Sequence, residues 1–293
     1  MKGLIVVDKP AGWTSHDVVN RVRRLVNTRK VGHLGTLDPM ATGVLPLVIG
    51  RATRLAQFFQ HSDKVYDAAI RFGCSTDTYD RFGTPLGPEV PVQLDCFDLE
   101  QIIHRFRGKI EQMPPAFSAK KIAGTPAHRL MRKNVPVDLK PVQVEIFSFD
   151  LIQCSGAEAQ VRVHCSAGTY LRSIAHDLGQ GLGCGACLIE LRRTSSGGFD
   201  LGMARTIDDL NTLAESGRIE EAIIPSAQLL PQFPSELVDT STAGFIRQGR
   251  DFRVSPFRAR GVTRYVKAVT QDGELIAIGE AKLPNLYHPI LVL

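Results

Sequence analysis

One segment, residues 31 to 54, constrains this chain more than any other. It reads VGHLGTLDPMATGVLPLVIGRATR, with glycines on both sides of a single carboxylate, Asp38, and an apolar run from Val44 to Ile49 behind it. The apolar run predicts a short buried strand. Gly32 and Gly35 permit close backbone approach and unusual φ/ψ, and Gly43 follows in Ala-Thr-Gly. The segment therefore predicts a bent loop beside a strand, and Asp38 is the first candidate for an active group.

Asp38 also has a simpler explanation. An Asp-Pro pair commonly begins a turn or caps a helix, because the Asp side chain accepts hydrogen bonds from nearby amides and Pro fixes φ. For an isolated Asp-Pro pair this explanation is the better one. The neighbouring glycines and His33 favour a ligand-binding loop instead.

Short strands are mixed with a few helices along the first 230 residues. Thr14 or Ser15 is a suitable N-cap for a helix that continues to Val26 with apolar residues at helical spacing. Further strands are predicted at residues 3–7, 44–49, 65–72, 142–152, 159–165 and 188–193, and further helices at residues 51–59, 98–107, 169–178 and 206–214. This order predicts an α+β fold rather than alternating βαβ units.

Two regions depart from this pattern. Between residues 113 and 140 a Pro-Pro pair, a Lys pair and a short basic helix interrupt the strands, and we expect a mobile insertion. After a proline-rich connection, residues 231–293 show strand periodicity without a helix. The turns there are predicted at Gly249, Gly261 and Asp272-Gly273. We therefore expect a first domain at residues 1–230 and a compact β-rich second domain.

Positive charge is concentrated in three stretches, although the net charge is only +5. Residues 1–30 hold seven Lys or Arg against two acidic residues, residues 118–140 six against one, and residues 241–270 seven against one. Residues 200–240 are the reverse, with eight acidic and two basic residues. Any one stretch is explained by a solvated face, but together they favour a long polyanion bound over several surfaces.

Composition is that of an ordinary globular protein, with 43% hydrophobic and 22% charged residues. The only early apolar run, Leu4 to Val7, is too short for the core of a signal peptide. Six cysteines in 293 residues, without the spacing of a small disulfide scaffold, predict reduced thiols. We therefore expect a cytoplasmic protein that does not bind membranes.

The segment around Asp38 resembles the signature of the TruB family of bacterial tRNA pseudouridine-55 synthases, Gly-His-x-Gly-x-Leu-Asp-Pro-x-Ala-x-Gly-x-Leu. Four other segments follow in the family's order: LIVVDKPAGWTSHDVV, SDKVYDAAIRFGCSTDTYDRFG, RFRGKIEQMPPAFSAKKIAGTPAHRLMR and HCSAGTYLRSIAHDLGQGLGCGACLIELRR. Together the five segments cover most of residues 3 to 200. Five matches in order make coincidence a poor explanation.

The resemblance implies the pseudouridine synthase fold, with a mixed, largely antiparallel central sheet and flanking helices in residues 1–230. It also implies a basic RNA-binding insertion at 113–140 and a PUA-like RNA-binding domain at 231–293. The implied reaction converts uridine 55 in the tRNA T-loop to pseudouridine. Since this isomerisation takes no electrons or groups from outside, we expect no cofactor and no metal. The expected partner is the T-arm of tRNA; no protein partner is predicted, and a monomer is expected.

Three residues are implied to carry the chemistry. The reaction breaks the bond from ribose C1′ to uracil N1, turns the base and rejoins it through C5, which calls for a nucleophile at C1′ or C6. The resemblance gives this role to Asp38. A buried carboxylate stays ionised only beside a fixed cation, and the matching residue is Arg172, whose planar fork can hold a carboxylate bidentately. Tyr66 matches the tyrosine that stacks on the target base and is proposed to help remove the C5 proton.

Three more residues are implied to bind substrate. The target uridine is stacked inside the T-loop, so it must be flipped out to reach Asp38. His33 matches the histidine that enters the vacated stack, and its flat ring can stack in either protonation state. Tyr170 is expected to contact the same nucleotide or to order Asp38, and Leu191 to form an apolar wall that helps to exclude water. Lys9-Pro10 matches a motif that supports the catalytic loop.

Other interpretations stay open. Cys184 and Cys187 have the spacing of half a zinc site, but no matching second pair lies nearby in sequence, so we expect them to be packing residues. One alternative to an enzyme is a non-catalytic RNA-binding or RNA-folding factor built on the same scaffold. Another is a synthase of this fold that modifies a different RNA.

Overall fold

The computed structural model describes residues 2–117, 121–122, 125–126, 139–255 and 263–293. Its strands are β1 (Gly3–Lys9), β2 (Val31–His33), β3 (Thr42–Ile49), β4 (Lys64–Phe72), β5 (Gly108–Gln112), β6 (Lys121–Ile122), β7 (Thr125–Pro126), β8 (Val142–Ser155), β9 (Glu158–Cys165), β10 (Ala186–Ser196), β11 (Phe199–Asp200), β12 (Ile224–Pro225), β13 (Ser235–Val238), β14 (Phe252–Arg253), β15 (Tyr265–Thr270), β16 (Leu275–Leu283) and β17 (Leu286–Val292). The α-helices are α1 (Ser15–Leu25), α2 (Cys96–His104), α3 (Leu171–Gly181), α4 (Ile207–Glu215) and α5 (Thr240–Arg247), and 3₁₀ helices span Gly50–Phe59, Ile219–Ala222 and Ser226–Gln228.

The larger sheet has ten strands in the order β12-β1-β3-β10-β4-β9-β8-β5, with β11 beside β10 and β2 beside β3. Only the contact between β3 and β10 is parallel among its described pairs; the others are antiparallel. The prediction of a mixed, largely antiparallel α+β sheet with flanking helices is confirmed. The parallel pair matters for the site, because it sets Arg193 of β10 directly beside Gly43 at the end of the Asp38 loop.

Strand β1 is apolar on both sides because it is covered on both sides. Ile5 and Val7 pack into the core beneath α1, whereas Leu4 and Val6 pack into a second cluster that includes residues of β15 to β17. This explains why GLIVV is a continuous apolar run rather than an alternating one. The sheet is therefore held rigidly between the two layers at the point where the Asp38 loop leaves it.

Two helices begin where their capping residues predict. Thr14 accepts a hydrogen bond from the Asp17 amide, and the Asp17 carboxylate accepts one from the Thr14 amide, which is a capping box. Thr206 and Asp209 repeat the arrangement at α4. The predicted helix at residues 51–59 is also present, as a 3₁₀ helix.

The expectation of no helix in residues 231–293 is wrong. A five-stranded sheet in the order β13-β15-β16-β17-β14 is accompanied by the eight-residue helix α5. Asp239 caps this helix by accepting a hydrogen bond from the Thr242 amide at 2.7 Å. The helix is short and its sequence, TSTAGFIR, contains three residues with weak helix propensity and one glycine, so Asp239 was its only clear signal.

The expectation that all six cysteines are reduced is also wrong. Cys96, at the start of α2, and Cys154, in β8, form a disulfide with a Cα–Cα distance of 5.8 Å. The two residues are 58 positions apart, and only the packing of α2 against β8 brings them together, so sequence spacing does not reveal the bond. Cys187 lies with its Sγ 3.1 Å from Sγ of Cys74, whereas Cys184 contacts the carbonyl of Gly185.

The predicted mobile insertion at 113–140 falls mainly on residues outside the described ones. Residues 118–120, 123–124 and 127–138 are not described, and neither are residues 256–262, which include the predicted turn at Gly261. What is described is the start of the insertion, which is anchored to α3. Ser173 Oγ donates to the Met113 carbonyl at 2.7 Å, and the Gln112 side chain exchanges two hydrogen bonds with the Tyr170 backbone.

Substitution of Gly43 tests how closely the loop and sheet are joined. Gly43 has φ of 98°, and a Cβ there would overlap the carbonyl oxygen of Arg193. We expect Gly43→Ala to lower the free energy of unfolding by about 2–4 kcal/mol, because the added Cβ would clash with main-chain atoms, which cannot move aside as a flexible side chain can. In the matched control, Gly273→Ala, φ is 84° but no atom lies within 4 Å of the added Cβ, so a loss of only about 1 kcal/mol is expected. Urea denaturation measures both; equal losses would contradict the steric explanation.

Candidate active site

The loop from His33 to Ala41 is fixed by buried side chains beneath it. Lys9 is fully buried, and its Nζ donates to the carbonyls of Pro10, Trp13 and Pro39 at 2.8, 2.6 and 3.2 Å. Ser15 Oγ donates to the Leu37 carbonyl at 3.0 Å and accepts from the Leu37 amide at 2.8 Å. The backbone on both sides of Asp38 is therefore held in place.

Arg193 supports the loop from the sheet. It is fully buried, and its guanidinium donates to the carbonyls of Val44 at 2.7 Å, Gly35 at 3.1 Å and Thr36 at 3.5 Å. A buried cation is costly unless it is hydrogen-bonded, and here each of the three guanidinium nitrogens donates to a backbone carbonyl. Arg193 thus fixes the curvature of the chain that leads to Asp38.

Asp38 itself takes part in a turn and still faces a cavity. Its carbonyl accepts a hydrogen bond from the Ala41 amide at 3.0 Å, so the Asp-Pro turn expected from sequence is present. Its side chain is 36% exposed, which corrects the expectation of a buried carboxylate. The turn presents the carboxylate at a surface instead of enclosing it.

Arg172 is the cation beside Asp38. Its side chain is 5% exposed, and Nε lies 2.8 Å from Asp38 Oδ2. The N–H at Nε is not aligned for a hydrogen bond, so the contact is an ion pair made through one nitrogen rather than the bidentate grip expected from sequence. The other two nitrogens donate to carbonyls, Nη1 to Thr78 at 3.1 Å and Nη2 to Phe117 at 3.0 Å.

A second carboxylate, Asp80, approaches the same guanidinium. Asp80 Oδ2 lies 3.9 Å from Arg172 Nη1, and its Oδ1 accepts from Thr78 Oγ1 at 2.8 Å and from the Phe82 amide at 3.0 Å. Arg172 therefore has a carboxylate at each of two nitrogens, one at the surface and one buried. The buried one, Asp80, is tied to its own loop and holds that loop beside the guanidinium.

Asp38 stands between two cavities. A groove of about 1380 Å³ and an inner pocket of about 690 Å³ share the wall formed by His33, Thr36, Leu37, Asp38, Arg172 and Leu191. Tyr66 and Tyr170 line only the inner pocket. All six predicted site residues thus meet in one place, with the carboxylate accessible from either side.

Tyr66 is almost as enclosed as Arg172. It is 6% exposed, near the start of β4, and burial raises the pKa of its hydroxyl, an effect that the nearby charge of Arg193 partly offsets. At neutral pH the phenol is therefore protonated. Leu191, which is 8% exposed, lies on β10 next to β4 and faces the same pocket.

His33 is a neutral ring at the entrance. Its Nδ1 accepts a hydrogen bond from the Gly35 amide at 3.3 Å, which places the ring proton on Nε2. Burial, helped by the charges of Arg193 and His16, lowers the pKa of His33. A flat, uncharged ring thus lies where the groove meets the inner pocket.

No metal site or membrane span is found in the described part of the chain. Among residues 2–117, 139–255 and 263–293, no group of three His, Cys, Asp or Glu side chains is placed to hold a metal ion. None of the described helices is both long and apolar enough to cross a bilayer.

Sequence reasoning missed three residues that position the site: Ser15, Asp80 and Arg193. The position of Arg193 could have been predicted, because Leu191 and Arg193 are two residues apart on one strand and therefore lie on the same face of the sheet. Ser15 was considered only as a helix cap. Asp80 lay within a matched segment, but its proximity to Arg172 depends on a loop whose path is set by tertiary contacts.

Two family models match this chain, in two consecutive segments that together span residues 23–231. The model of the "TruB family pseudouridylate synthase (N terminal domain)" matches residues 23–171, and that of the "tRNA pseudouridylate synthase B C-terminal domain" matches residues 172–231. Residues 232–293, which form the five-stranded sheet, lie beyond both matches.

Individual proteins are similar over nearly their whole length. The tRNA pseudouridine synthase B of Solibacter usitatus (strain Ellin6076) is 58% identical over 293 residues, which is 100% of both chains. That of Aquifex aeolicus (strain VF5) is 38% identical over 96% of each chain. Among solved structures, an H/ACA RNP bound to a substrate RNA containing 2′-deoxyuridine aligns with a TM-score of 0.71 at 26% identity, covering 99% of this chain and 84% of that one. A Cbf5-Nop10-Gar1 complex aligns with a TM-score of 0.69 at 28% identity, covering 97% and 79%.

The buried Lys9 gives a prediction about pH. Burial lowers its pKa from 10.5 to about 8, so between these values the native protein has released a proton that the unfolded chain retains. The free energy of unfolding of the wild type, relative to Lys9→Met, should then rise across this window with a slope of up to about 1.4 kcal/mol per pH unit. Below pH 8 the difference should be flat. Urea denaturation of both proteins from pH 6.5 to 10.5 tests this, and a difference independent of pH would show that the Lys9 pKa is not lowered.

Proposed function

The chain belongs to the TruB family of pseudouridylate synthases, which isomerise uridine to pseudouridine in tRNA, and from this we propose that it acts on a T-loop uridine, position 55, flipped out to meet Asp38 as nucleophile. One observation carries the proposal. The Asp38 carboxylate is held 2.8 Å from the buried Arg172 at the boundary between an open groove and an inner pocket. In this proposal the larger groove would take a strand of RNA, and the smaller pocket would take one extruded base.

The chemistry needs one nucleophile and an enclosed base. Breaking the C1′–N1 bond leaves a uracil that must turn before C5 bonds to C1′; C5 then loses a proton and N1 gains one, so the product is an isomer. In this scheme Asp38 either attacks C1′ and is displaced when C5 bonds there, or adds to C6 and is eliminated after C5 has bonded to C1′. Arg172, whose Nε lies 2.8 Å from Asp38 Oδ2, fixes the direction of the carboxylate through their ion pair.

Tyr66 and Leu191 would hold the detached base. Both line the inner pocket, one with an aromatic face and the other with an apolar side chain. The raised pKa of Tyr66 supports stacking more than proton removal, because a protonated phenol is not a base. Leu191 would limit access of water to the intermediate.

His33 and Tyr170 would contact the RNA at the flipped nucleotide. Flipping costs roughly a few kcal/mol of lost stacking, and an aromatic ring that takes the vacated position recovers part of it. The neutral His33 ring at the entrance suits this role. The backbone of Tyr170 is hydrogen-bonded to the Gln112 side chain just before the insertion, and Tyr170 also lines the inner pocket. In the proposed complex it would therefore lie between the bound RNA and the pocket.

The surrounding surfaces would bind the T-arm. Basic residues are abundant in residues 1–30, 118–140 and 241–270, and phosphate contacts of this kind position an RNA without reading its sequence. We assign catalysis to residues 1–230, the covering insertion to residues 113–140, and a PUA-like RNA contact to residues 231–293. The protein in this scheme works as a cytoplasmic monomer on the folded shape of the T-arm.

Release of tritium from a T-arm hairpin labelled at uridine C5 tests the proposal. The wild type should release the label, whereas Asp38→Asn should bind the hairpin with comparable affinity and be slower by at least about 10⁴-fold, as expected for the loss of a nucleophile. Asp208→Asn, which changes an exposed carboxylate on α4, is the matched control and should behave as wild type. A labelled anticodon-arm hairpin should release nothing.

Three outcomes would each contradict a different part of the proposed function. A wild type that binds the hairpin without releasing label is not a T-loop synthase. If Asp38→Asn releases label readily, the protein is still a synthase but Asp38 is not its nucleophile. Equal release from the two hairpins would show a synthase that is not specific for the T-loop.

A further inference from the structure

An exposed aromatic ring sits at the rim of the groove. Phe82 is 73% exposed, more than any other large apolar side chain of the described residues, and it lines the same groove as Asp38. Phe97 on α2 is almost as exposed, at 70%, but does not line the groove. Exposed apolar side chains are common singly, so position and surroundings decide whether Phe82 has a role.

The loop that carries Phe82 is tightly hydrogen-bonded. Asp80 Oδ1 accepts from the Phe82 amide at 3.0 Å, the Asp80 carbonyl accepts from Thr76 Oγ1 at 2.7 Å and from the Gly83 amide at 3.1 Å, and Asp77 Oδ1 accepts from the Thr84 amide at 2.8 Å. The exposure of the ring is therefore a fixed property of the fold. A loop free to rearrange would instead bury the ring.

A cation accompanies the ring. The Arg81 guanidinium lies 5.4 Å from the Phe82 ring centroid, and the Arg81 amide donates to the Leu188 carbonyl at 2.9 Å. Within the part of the chain that the structure describes, no carboxylate forms an ion pair with Arg81. The three other arginines that line the groove, Arg162, Arg172 and Arg192, are each paired with an aspartate at under 3 Å. Among the described residues, Arg81 is thus the groove arginine whose charge is available to a ligand.

The pair is also close to the reacting centre. Thr78 and Asp80 of the same loop contact Arg172, which contacts Asp38. A ligand on Arg81 and Phe82 would therefore lie in the same groove as the group that Asp38 attacks. Apart from a long hydrogen bond of 3.4 Å from Nη1 to the Ile189 carbonyl, the Arg81 guanidinium makes no hydrogen bond or ion pair with the described residues. A flat ring next to such a guanidinium suits a nucleotide, with the base stacked on the ring and the phosphate on the cation.

We propose that Arg81 and Phe82 bind a nucleotide of the substrate RNA that flanks the reacting uridine, through stacking on Phe82 and a phosphate contact to Arg81. This inference rests on the proposed function for the identity of the RNA. The contact would hold the strand in the groove while the neighbouring uridine is out of its stack. Because every base has a π face, it would add affinity and position without selecting a base.

Binding of the T-arm hairpin to Asp38→Asn protein, with and without Phe82→Ala, tests the contact without requiring turnover. Loss of one stacked base predicts about 5- to 150-fold weaker binding. Phe82→Tyr should restore it, whereas Phe82→Leu, which keeps apolar area but has no π face, should not. Phe97→Ala is the matched control and should change nothing. Arg81→Gln should reduce the slope of log Kd against log salt by about 1.

The proposal is overturned if Phe82→Ala and Phe97→Ala bind the hairpin equally well, or if Phe82→Leu binds as tightly as Phe82→Tyr. Either result would leave Phe82 as a surface residue or a docking point for protein. Failure of the proposed function looks different, because there the wild type releases no tritium at all. Urea midpoints that match the parent protein confirm that each variant is folded.

Discussion

The site depends on two buried cations that hydrogen-bond to the backbone of the Asp38 loop. Lys9 binds the carbonyl after Asp38, and Arg193 binds the carbonyls of Gly35 and Thr36 before it. Taking such charges out of water is expensive, and the loop carbonyls offset part of that cost, so the loop conformation and the burial of these two side chains depend on each other. These buried side chains therefore determine the conformation of the loop, and the exposed Asp38 carboxylate is attached to backbone that is held in place.

Arg172 then joins parts of the chain that are far apart in sequence. One guanidinium contacts Asp38, the carbonyl of Thr78 and the carbonyl of Phe117, from three separate segments. The last of these begins the insertion, so a change in the insertion and a change in the groove both reach Asp38 through the same side chain. Because the three contacts use different nitrogens of one planar group, a shift of any one segment would alter the direction of the other two contacts.

Sequence predicted the elements better than the contacts between them. Strand runs such as residues 44–49 and the caps at Thr14 and Thr206 are local signals, and the structure has them. The six candidate site residues all line the inner pocket, although the family pattern, and not spacing, identified them. Helix α5, the Cys96–Cys154 bond and the roles of Asp80 and Arg193 were missed. Each of these depends on tertiary packing or on weak local propensity, which a single sequence does not encode at short range.

In the proposed function, this scaffold presents Asp38 to a T-loop uridine of tRNA. The decisive experiment is to map pseudouridine in the tRNA of a strain that lacks the protein, and of the same strain supplied with the wild-type or Asp38→Asn gene. We expect pseudouridine to disappear from position 55, to return with the wild-type gene and not to return with Asp38→Asn. Persistence of pseudouridine at position 55 in the deletion strain, or its return with Asp38→Asn, would show that Asp38 of this protein does not carry out the modification.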